Sequence, residues 1–599
     1  MGEATTTNVW TIFDEPGADY WNYATQADYW PRLYHLAPPS LRLELTTAKG
    51  EPSTLVCGDA ICTATVTLQP NLTWTDGSPF TAHDVTFTVN TALQFRLGLN
   101  WQRAYNPDVL DHVEAMNEST VKFYFNGTPS VADWQYGVLQ GPIVNQAYWQ
   151  PRVVDAVNLL PDEGLLPTIL ELEGQFAEMQ ARVDELNLSL DTMAPASTAY
   201  QDTTKQSKRL QDELNSIANK IEKNRTAYKQ ALTDARVSLY SLANANEPTL
   251  GPWQFASRIE GSFENRVNLG TPFGDPWFDS VHYIAYPDEA AAVRALLANE
   301  VDLILTPDGL STSAISQLEN DAQITLSRNA TRSARFLAFN HSRAYLNDPV
   351  LHQALACVID LQMLAAELDG QIAPMPGFVL DDFWRDVEVS LPCDGLTGDA
   401  RLGKAVDIMK ERGYSWVTEP AGDENVSGLT DPDGKMLPRF QLLAPLPTQD
   451  ALRARIADVI AQQAGLLGVT LKVQPADQAD LLYAVYGSGD YDMALLGWRL
   501  SAYPAYLCEW FMPLGQNPFA YNGSKLEGVC DAWGQTNDLE EARSHAADNQ
   551  SILSQDLPLI PLYTLVRVDA YRNVSYPFPG VVDGLGGLYG APALAIPNP

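Results

Sequence analysis

Between residues 163 and 243 the chain carries two heptad repeats, a pattern that commits a segment to long helices packed along a seam. In the first repeat, apolar residues recur mostly at alternating steps of four and three, at Leu165, Leu172, Phe176, Met179, Val183, Leu186, Leu190 and Met193. The second repeat runs through Leu210, Leu214, Ile217, Ile221, Asn224, Tyr228, Ala231, Ala235 and Leu242. Residues 194–197, Ala-Pro-Ala-Ser, interrupt the pattern between them. The segment therefore predicts an antiparallel coiled-coil hairpin that projects as an arm, with two ordinary packed helices as the alternative.

Outside that segment the chain alternates between strand-like and helix-like patterns. Residues 62–74 alternate polar and apolar side chains, as a half-buried strand pair does. A helix follows, in which Thr81 is the predicted N-cap and Asp84 completes a capping box. From residue 251 onward strands and helices succeed one another, and Gly413 is expected to close one of the helices. We therefore expect an α/β fold that the arm interrupts.

The charge balance excludes one class of partner. Against 38 Lys plus Arg stand 74 Asp plus Glu, which gives a net charge of -36. A field of that sign repels phosphate backbones, so we expect no nucleic-acid partner.

The 599 residues suffice for two to four domains with sizeable hydrophobic cores.

The cysteines indicate an oxidising compartment. If bridges form locally, the simplest pairing joins Cys57 with Cys62, Cys357 with Cys393, and Cys508 with Cys530, although other connectivities stay open. A metal site would need closer cysteine pairs or nearby histidines, which the sequence lacks, so we expect no metal and no cofactor.

The first ten residues have neither the basic nor the apolar region of a signal peptide. We expect an extracellular, cell-surface or periplasmic protein whose signal or anchor is not in this chain.

Glycosylation motifs point the same way. The pattern Asn-x-Ser/Thr occurs eleven times, about threefold more often than chance, at Asn71, Asn117, Asn126, Asn187, Asn224, Asn329, Asn340, Asn425, Asn522, Asn549 and Asn573. A glycosylated surface protein is one interpretation. The other is that Asn, Ser and Thr simply cluster in turns.

Catalytic motifs are absent from the sequence. It contains no G-x-S-x-G, H-E-x-x-H or phosphate-binding G-x-x-x-x-G-K-S/T. Adjacent acids such as Asp381 and Asp382 are expected by chance among so many carboxylates, and a solvated face explains them better than glycosidase chemistry. We expect a binding protein, with no catalytic residues, rather than an enzyme.

Four ordered motifs resemble the family 5 extracellular solute-binding proteins of ABC importers, the oligopeptide-, dipeptide- and nickel-binding type. The first is LTWTDGSPFTAHDVTFTVNTAL, and the second is GPWQF followed by VHYIAYPDEAAAVRALLANEVDLI. The third is ARFLAFNHSRAYLNDPVLHQALACVID, and the fourth GVTLKVQPADQADLLYAVYGSGDYDMALLGW. Together they span most of the chain outside the predicted hairpin.

The resemblance implies an α/β, two-lobed periplasmic-binding-protein-like fold (class C, Venus-flytrap) with the coiled-coil hairpin inserted. By this analogy the chain divides into 1–162 as the N-terminal part of the first lobe, 163–243 as the arm, 244–284 as the return segment of the first lobe, 285–570 as the second lobe, and 571–599 as a C-terminal segment returning to the first lobe. Two chain crossings, near residues 283–287 and 568–573, would form the hinge.

The resemblance also implies where a ligand binds. In the family the segment after a Gly-Trp pair commonly lines the pocket, so the candidate ligand-binding residues are Trp498, Arg499, Ser501 and Tyr503, with Asn340 near the cleft. Trp498 has a core position as its alternative, and Asn340 a sequon or a strand-end turn. Peptide receptors of the family usually carry an Asp shortly after this pair, where this chain has Ser501 and Ala502. Arg499, if it points inward, would suit a carboxylate or phosphate, and the aromatic rings would also suit sugar faces.

The function implied is an extracellular receptor that captures a small solute, a peptide, an oligosaccharide or another molecule, and delivers it to an ABC import permease. The alternative is a glycosylated cell-surface structural or adhesive protein that reuses the receptor fold. The arm favours this alternative, because typical family members lack it. In that case the arm would serve self-association or binding to a surface partner.

Overall fold

The fold is described from a computed structural model. The structure describes residues 7–14, 20–39, 42–58, 61–306, 309–368, 370–422, 426–512, 517–585 and 591–598. The predicted glycosylation motif at Asn425 lies outside the described residues.

The first lobe begins with short helices around an antiparallel sheet. Its helices before the arm are α1 (Val9–Ile12), α2 (Tyr20–Gln26), α3 (Ala82–Gln94), α4 (Leu99–Ala104), α5 (Val131–Trp134), α6 (Gln146–Trp149) and α7 (Val154–Val157). Its strands are β1 (Tyr34–Ala37), β2 (Arg42–Leu45), β3 (Val56–Cys57), β4 (Cys62–Thr67), β5 (Leu110–Asn117) and β6 (Thr120–Phe125). Strands β3-β4-β6-β5 form one sheet in that order, and β1 pairs with β2. The capping box of α3 is confirmed, since the Thr81 N–H donates to Asp84 Oδ2 at 2.8 Å.

The segment between the two parts of the first lobe forms a hairpin of two long helices, α8 (Leu165–Thr192) and α9 (Thr198–Tyr240). Burial follows the predicted seam: Val183 on α8 and Leu214 and Ile221 on α9 are buried, while most residues between seam positions are exposed. Arg225 of α9 pairs with Glu173 of α8 at 2.8 Å. The antiparallel hairpin is thus observed, and the knobs-into-holes packing of a true coiled coil stays a prediction.

The base of the arm is fixed to the first lobe. Ala235 and Leu239 of α9 are fully buried in the same core as the tryptophans of the N-terminal segment. Arg236 Nε donates to the Phe95 carbonyl at 2.9 Å, and Asn8 Nδ2 donates to the Leu242 carbonyl at 2.8 Å. Packing at the base therefore orients the arm.

After the arm the chain returns to the first lobe as a three-stranded antiparallel sheet, β7 (Trp253–Ile259), β8 (Ser262–Val267) and β9 (Ser280–Ile284), in the order β7-β8-β9. Strand β9 lies at the edge of this sheet and leads directly toward the second lobe. This edge position brings β9 to the junction of the lobes.

The second lobe is a seven-stranded mixed sheet covered by helices. Its strands are β10 (Leu303–Ile304), β11 (Thr325–Phe339), β12 (Ile372–Pro374), β13 (Phe440–Pro445), β14 (Leu471–Ala476), β15 (Met493–Arg499) and β16 (Leu559–Tyr571). The order is β10-β16-β11-β15-β13-β14, with β12 also paired to β16. Its helices are α10 (Glu289–Leu297), α11 (Thr312–Leu318), α12 (Pro349–Val358), α13 (Leu361–Glu367), α14 (Asp399–Arg412), α15 (Ala451–Gly465), α16 (Gln478–Leu482), α17 (Tyr506–Glu509), α18 (Ser524–Gln535) and α19 (Leu539–Asp556). Gly413 closes α14 with a left-handed φ of 104°, as expected.

One helical stretch of the described residues, Pro349–Glu367, is apolar and long enough to cross a membrane, with a mean hydropathy of 1.4. It comprises α12 and α13, and half of it is buried inside the protein. Leu351 and Leu355 of this stretch are fully buried in the second-lobe core. Such burial is typical of the core helix of a globular domain.

The C-terminal segment packs where the lobes meet. It adds the strand pair β17 (Val574–Ser575) and β18 (Ile596–Pro597). Its buried residues Phe578 and Leu585 form a small core with Leu36 and Phe278 of the first lobe and Leu303 of the second. This segment therefore contacts both lobes.

Candidate ligand-binding site between the lobes

A cavity of about 520 Å³ lies at the junction of the two lobes. Four parts of the chain line it: residues 21–28 around α2, residues 261–286 with β9, residues 300–305 with β10, and residues 574–595 of the C-terminal segment. Its volume falls within the range of small-molecule sites in proteins. A relative movement of the lobes would change the shape of this cavity, because its walls belong to both.

Aromatic side chains form much of the cavity wall. They are Trp21, Tyr23, Phe263, Phe278, Tyr283, Tyr286 and Tyr576. Burial raises the pKa of Tyr283 and of Tyr576 well above the ordinary value, and nearby Asp28 raises that of Tyr283 further. Both phenols therefore stay protonated at neutral pH. They offer flat apolar faces together with hydroxyl donors.

The ionisable groups of the cavity are mostly acidic. Asp28 is buried in the wall, while Glu300 and Asp302 lie exposed at its second-lobe side. Asp302 Oδ1 accepts a hydrogen bond from Asn573 Nδ2 at 2.7 Å. Among the described lining residues the one basic candidate is His282, which lies 3.6 Å from Glu264. The cavity is therefore suited to a ligand that carries positive charge.

The main chain of β9 offers hydrogen-bonding groups at the same place. All five residues of β9 line the cavity. The Ala285 N–H donates to the Gly261 carbonyl, and the Val267 N–H donates to the Asp279 carbonyl, so the odd-numbered residues face β8. In an antiparallel ladder the intervening residues, Ser280, His282 and Ile284, then direct their N–H and C=O groups to the other edge of β9, which no strand of the described ranges pairs with. An extended ligand could pair with that edge.

The predicted residues after the Gly-Trp pair lie at the end of β15. Trp498 is half-buried and packs on Trp510 with 4.3 Å between ring centroids, and on Phe336 at 5.3 Å. Tyr503 is buried and contacts Tyr136 of the first lobe at 5.4 Å. Ser501 is exposed, and its hydroxyl donates to the Tyr503 carbonyl. Tyr503 lies where the lobes touch, but none of these residues lines the cavity, so their role in ligand binding stays a prediction.

Arg499 belongs to a chain of ion pairs beside the C-terminal segment. Its Nη2 lies 3.0 Å from Asp583, and its side chain is 66% exposed. Asp583 also pairs with Arg332 Nη1 at 2.9 Å, and Arg332 Nη2 reaches Asp381 at 2.8 Å. Burial by itself would lower the pKa of Arg332, but the two carboxylates raise it, so the guanidinium stays charged. Asp583 and Asp381 are structural partners of arginine in this arrangement.

Asn340 does not line this cavity, and its place near the cleft stays a prediction. Asn340 is buried at the opposite end of the sheet from Trp498, because β11 and β15 are antiparallel and its N–H donates to Asp492. Its Nδ2 donates to the carbonyls of Gly489 and Tyr491, both at 2.9 Å. The side chain closes a strand-end turn, the alternative that the sequence offered, and its burial leaves no room for a glycan.

The three local disulfides are confirmed: Cys57–Cys62, Cys357–Cys393 and Cys508–Cys530 are each joined. The predicted glycosylation sites divide into two groups. Those at Asn329 and Asn549 are wrong, as at Asn340, because both amides are buried and Asn329 Nδ2 donates to Asp569 at 3.0 Å. The sites that remain predictions are exposed except for Asn224, which lies half-buried on the arm seam: Asn71, Asn117, Asn126, Asn187, Asn224, Asn522 and Asn573.

Sequence reasoning missed the residues that line the cavity. The β9 segment was visible as a strand, but nothing in it marks an open edge, and Asp28 lies in a segment with no motif. A signal did exist in the density of aromatic residues between Trp21 and Trp30. Across the described ranges, no group of three or more His, Cys, Asp or Glu is arranged to hold a metal ion.

Comparison with known proteins identifies the family of the chain. The family of bacterial extracellular solute-binding proteins, family 5 Middle, matches residues 61–157 and 183–511, which is well over half of the chain. The oligopeptide-binding protein AppA of Bacillus subtilis is 24% identical over 262 residues, or 42% of this chain and 44% of that protein. The chain thus spans about half the length of the curated relatives it matches.

Solved structures share the fold over nearly the whole length. The substrate-binding protein CtaP of an ABC transporter from Listeria monocytogenes superposes with a TM-score of 0.61 at 17% identity, covering 100% of this chain and 98% of that one. A nickel ABC transporter protein from Bacillus halodurans gives a TM-score of 0.65 at 15% identity, covering 97% of each chain. These likenesses confirm the two-lobed α/β architecture. The chain belongs to the bacterial extracellular solute-binding proteins of family 5.

Proposed function

We propose that the protein is an extracellular receptor that holds a small solute between its lobes and delivers it to an ABC import permease. The observation that carries the proposal is the cavity whose walls come from both lobes, from β9 and from the C-terminal segment. Closure of the lobes would enclose a ligand there, and opening would release it. Binding of this kind breaks no covalent bond, so the proposal includes no enzymatic activity.

The most suitable ligand is a peptide with a cationic group. The open edge of β9 can pair with an extended backbone, and the aromatic wall can pack against apolar side chains. Asp28, Glu300 and Asp302 can neutralise an ammonium group at one end. The name of the relative AppA, an oligopeptide-binding protein, agrees with this choice. Arg499 is occupied by Asp583, which weakens the alternative of an anionic ligand held at the end of β15.

The experiment is isothermal titration calorimetry with three probes: the tetrapeptide Lys-Ala-Ala-Ala, its fully acetylated form, and maltotriose. We expect the free peptide to bind and the acetylated peptide to bind at least about tenfold more weakly, because it has lost its positive charges. Asp28→Asn should reduce affinity for the free peptide and leave the acetylated form unaffected. The matched control is Asp76→Asn, an exposed first-lobe carboxylate outside the cavity. Equal binding of both peptides would refute the choice of a cationic ligand, and binding of maltotriose alone would refute the choice of a peptide.

A second candidate function is a structural protein of the cell surface, and the arm is the observation that favours it. A small-ligand cavity does not need a hairpin whose longer helix has 43 residues. The two functions are compatible, because the arm and the cavity use separate surfaces.

A further inference from the structure

The two helices of the arm carry opposite charge. Helix α8 has six acidic residues and one basic residue, whereas α9 has eight basic and five acidic residues. Five of the twelve lysines of the chain lie on α9. In a protein with a net charge of -36, a helix with a positive balance is a local exception. The arm therefore has one acidic edge and one basic edge.

The outer face of α8 also exposes leucines. Leu170 is 59% exposed and Leu188 is 70% exposed. They lie about five helical turns apart and so on one face, turned away from the seam with α9. Exposed Ala177 and Ala181 lie between them on this face. The carboxylates of the acidic edge that flank this face are Glu171, Glu178 and Glu185, all exposed.

The outer face of α9 matches this pattern in charge and spacing. Lys205 and Lys223 lie about five turns apart, again opposite the seam, and Lys208 lies one turn from Lys205. None of these three lysines forms an ion pair with another described residue. Their long alkyl stems can cover apolar side chains while the ammonium groups reach carboxylates.

The pairing of α8 with α9 places the outer faces of the two helices at the same height along the arm. Ser207 bonds to Asn187 at 2.8 Å, and Arg225 pairs with Glu173. These contacts place Leu188 level with Lys208, and Leu170 about one turn from Lys223. A second arm placed beside the first without axial displacement would therefore bring leucines against lysine stems, and carboxylates against ammonium groups.

We infer that the arm is an interaction surface for a second copy of this chain, with the outer face of α8 packed against the outer face of α9 of the next copy. This contact is heterologous, so each copy keeps one free edge and assembly continues into an array. Anionic lipid would satisfy the lysines of α9 but would leave the leucines and carboxylates of α8 unpaired. A second arm satisfies both edges at once.

Salt screens the lysines of this contact from the acidic body of the chain. Lys208 lies about 40 Å along α9 from Ala235, where the helix enters the first-lobe core. Lys223 lies about 18 Å along α9 from Ala235. The Debye length at physiological ionic strength is about 8 Å, so both lysines are screened from the body. Because the contact is mainly between opposite charges, added salt should weaken it.

The test is a charge-reversal exchange followed by sedimentation velocity of the full chain. One variant carries Lys205→Glu, Lys208→Glu and Lys223→Glu, and the other carries Glu171→Lys, Glu178→Lys and Glu185→Lys. We expect wild type at about 50 µM to form species larger than a monomer in 50 mM salt, with association weakened at least about tenfold in 500 mM salt. Each variant alone should be monomeric, since its two edges have like charge. An equimolar mixture of the two should associate again.

The matched control carries Lys404→Glu, Lys435→Glu and Lys472→Glu, three exposed lysines of the second lobe, and changes net charge by the same amount as the α9 variant. It should associate as wild type does, and circular dichroism checks that every variant is folded. A wild type that stays monomeric in 50 mM salt would overturn the inference, as would a mixture that does not associate. A monomeric wild type that sediments with phosphatidylglycerol vesicles would overturn it in favour of a membrane surface.

Discussion

Glu247 provides a direct test of the energetics at the base of the arm. It follows α9 in the return segment, and its Oε1 accepts hydrogen bonds from the indole N–H groups of Trp30 and Trp149, both at 2.7 Å. Both rings are fully buried in the first-lobe core. Burial raises the pKa of Glu247 to about 7, although the two indoles and Arg152 act in the opposite direction.

The sign of the pH dependence follows from this pKa. Because the pKa is higher in the folded state than in the unfolded state, the folded state holds the proton more tightly. The contribution of protonated Glu247 to folding stability is complete below its unfolded-state pKa of 4.5. It is lost as the pH rises through its folded-state pKa of about 7. A rise from 4.5 to about 7 corresponds to about 3 kcal/mol as an upper bound. Since the side chain is only partly buried, we expect about 2 kcal/mol between pH 5 and pH 8.

The perturbation is Glu247→Gln, which keeps an oxygen acceptor for both indoles and removes the titration. Urea unfolding followed by tryptophan fluorescence at pH 5, 6, 7 and 8 measures the difference in unfolding free energy between variant and wild type. This difference should grow in favour of the variant by about 2 kcal/mol across that range. Glu260→Gln, at an exposed carboxylate of the same lobe, is the control and should show no such trend. A constant difference from pH 5 to pH 8 for Glu247→Gln would refute the reasoning.

Three further predictions concern the second lobe. Trp498→Ala should lower its stability by about 2 to 3 kcal/mol, because the half-buried ring stacks on Trp510 and packs against the second-lobe core, and a melting curve unchanged by the substitution would contradict that packing. Arg332→Gln should cost about 3 to 5 kcal/mol in urea unfolding because it leaves buried Asp381 without its arginine and Asp583 with Arg499 alone, whereas Arg499→Gln, at an exposed side chain, should cost less than about 1 kcal/mol; equal losses would contradict this. Replacing Cys357 and Cys393 together by Ala should cost about 3 to 4 kcal/mol in the same assay, because the bridge closes a loop across 36 positions, and an unchanged midpoint would contradict it.

The sequence by itself determined the features that depend on local spacing. The heptad steps fixed α8 and α9 as a packed pair, since a seam of that period stays on one face of a helix. The Thr81 and Asp84 capping box needs four consecutive residues and nothing else. Short loops between cysteines made local disulfide pairing the simplest choice, and the ordered motifs were sufficient to recognise the family.

Only the tertiary structure decided which residues share a surface. Asn340 and Trp498 both looked like cleft residues, but the antiparallel pairing of β11 with β15 places them at opposite ends of one sheet. Asp28, β9 and the C-terminal segment come together in a cavity although hundreds of residues separate them along the chain. A binding site between lobes depends on which sheet edges stay unpaired in the folded protein. Long-range packing decides this, so the residues near an edge in sequence do not reveal it.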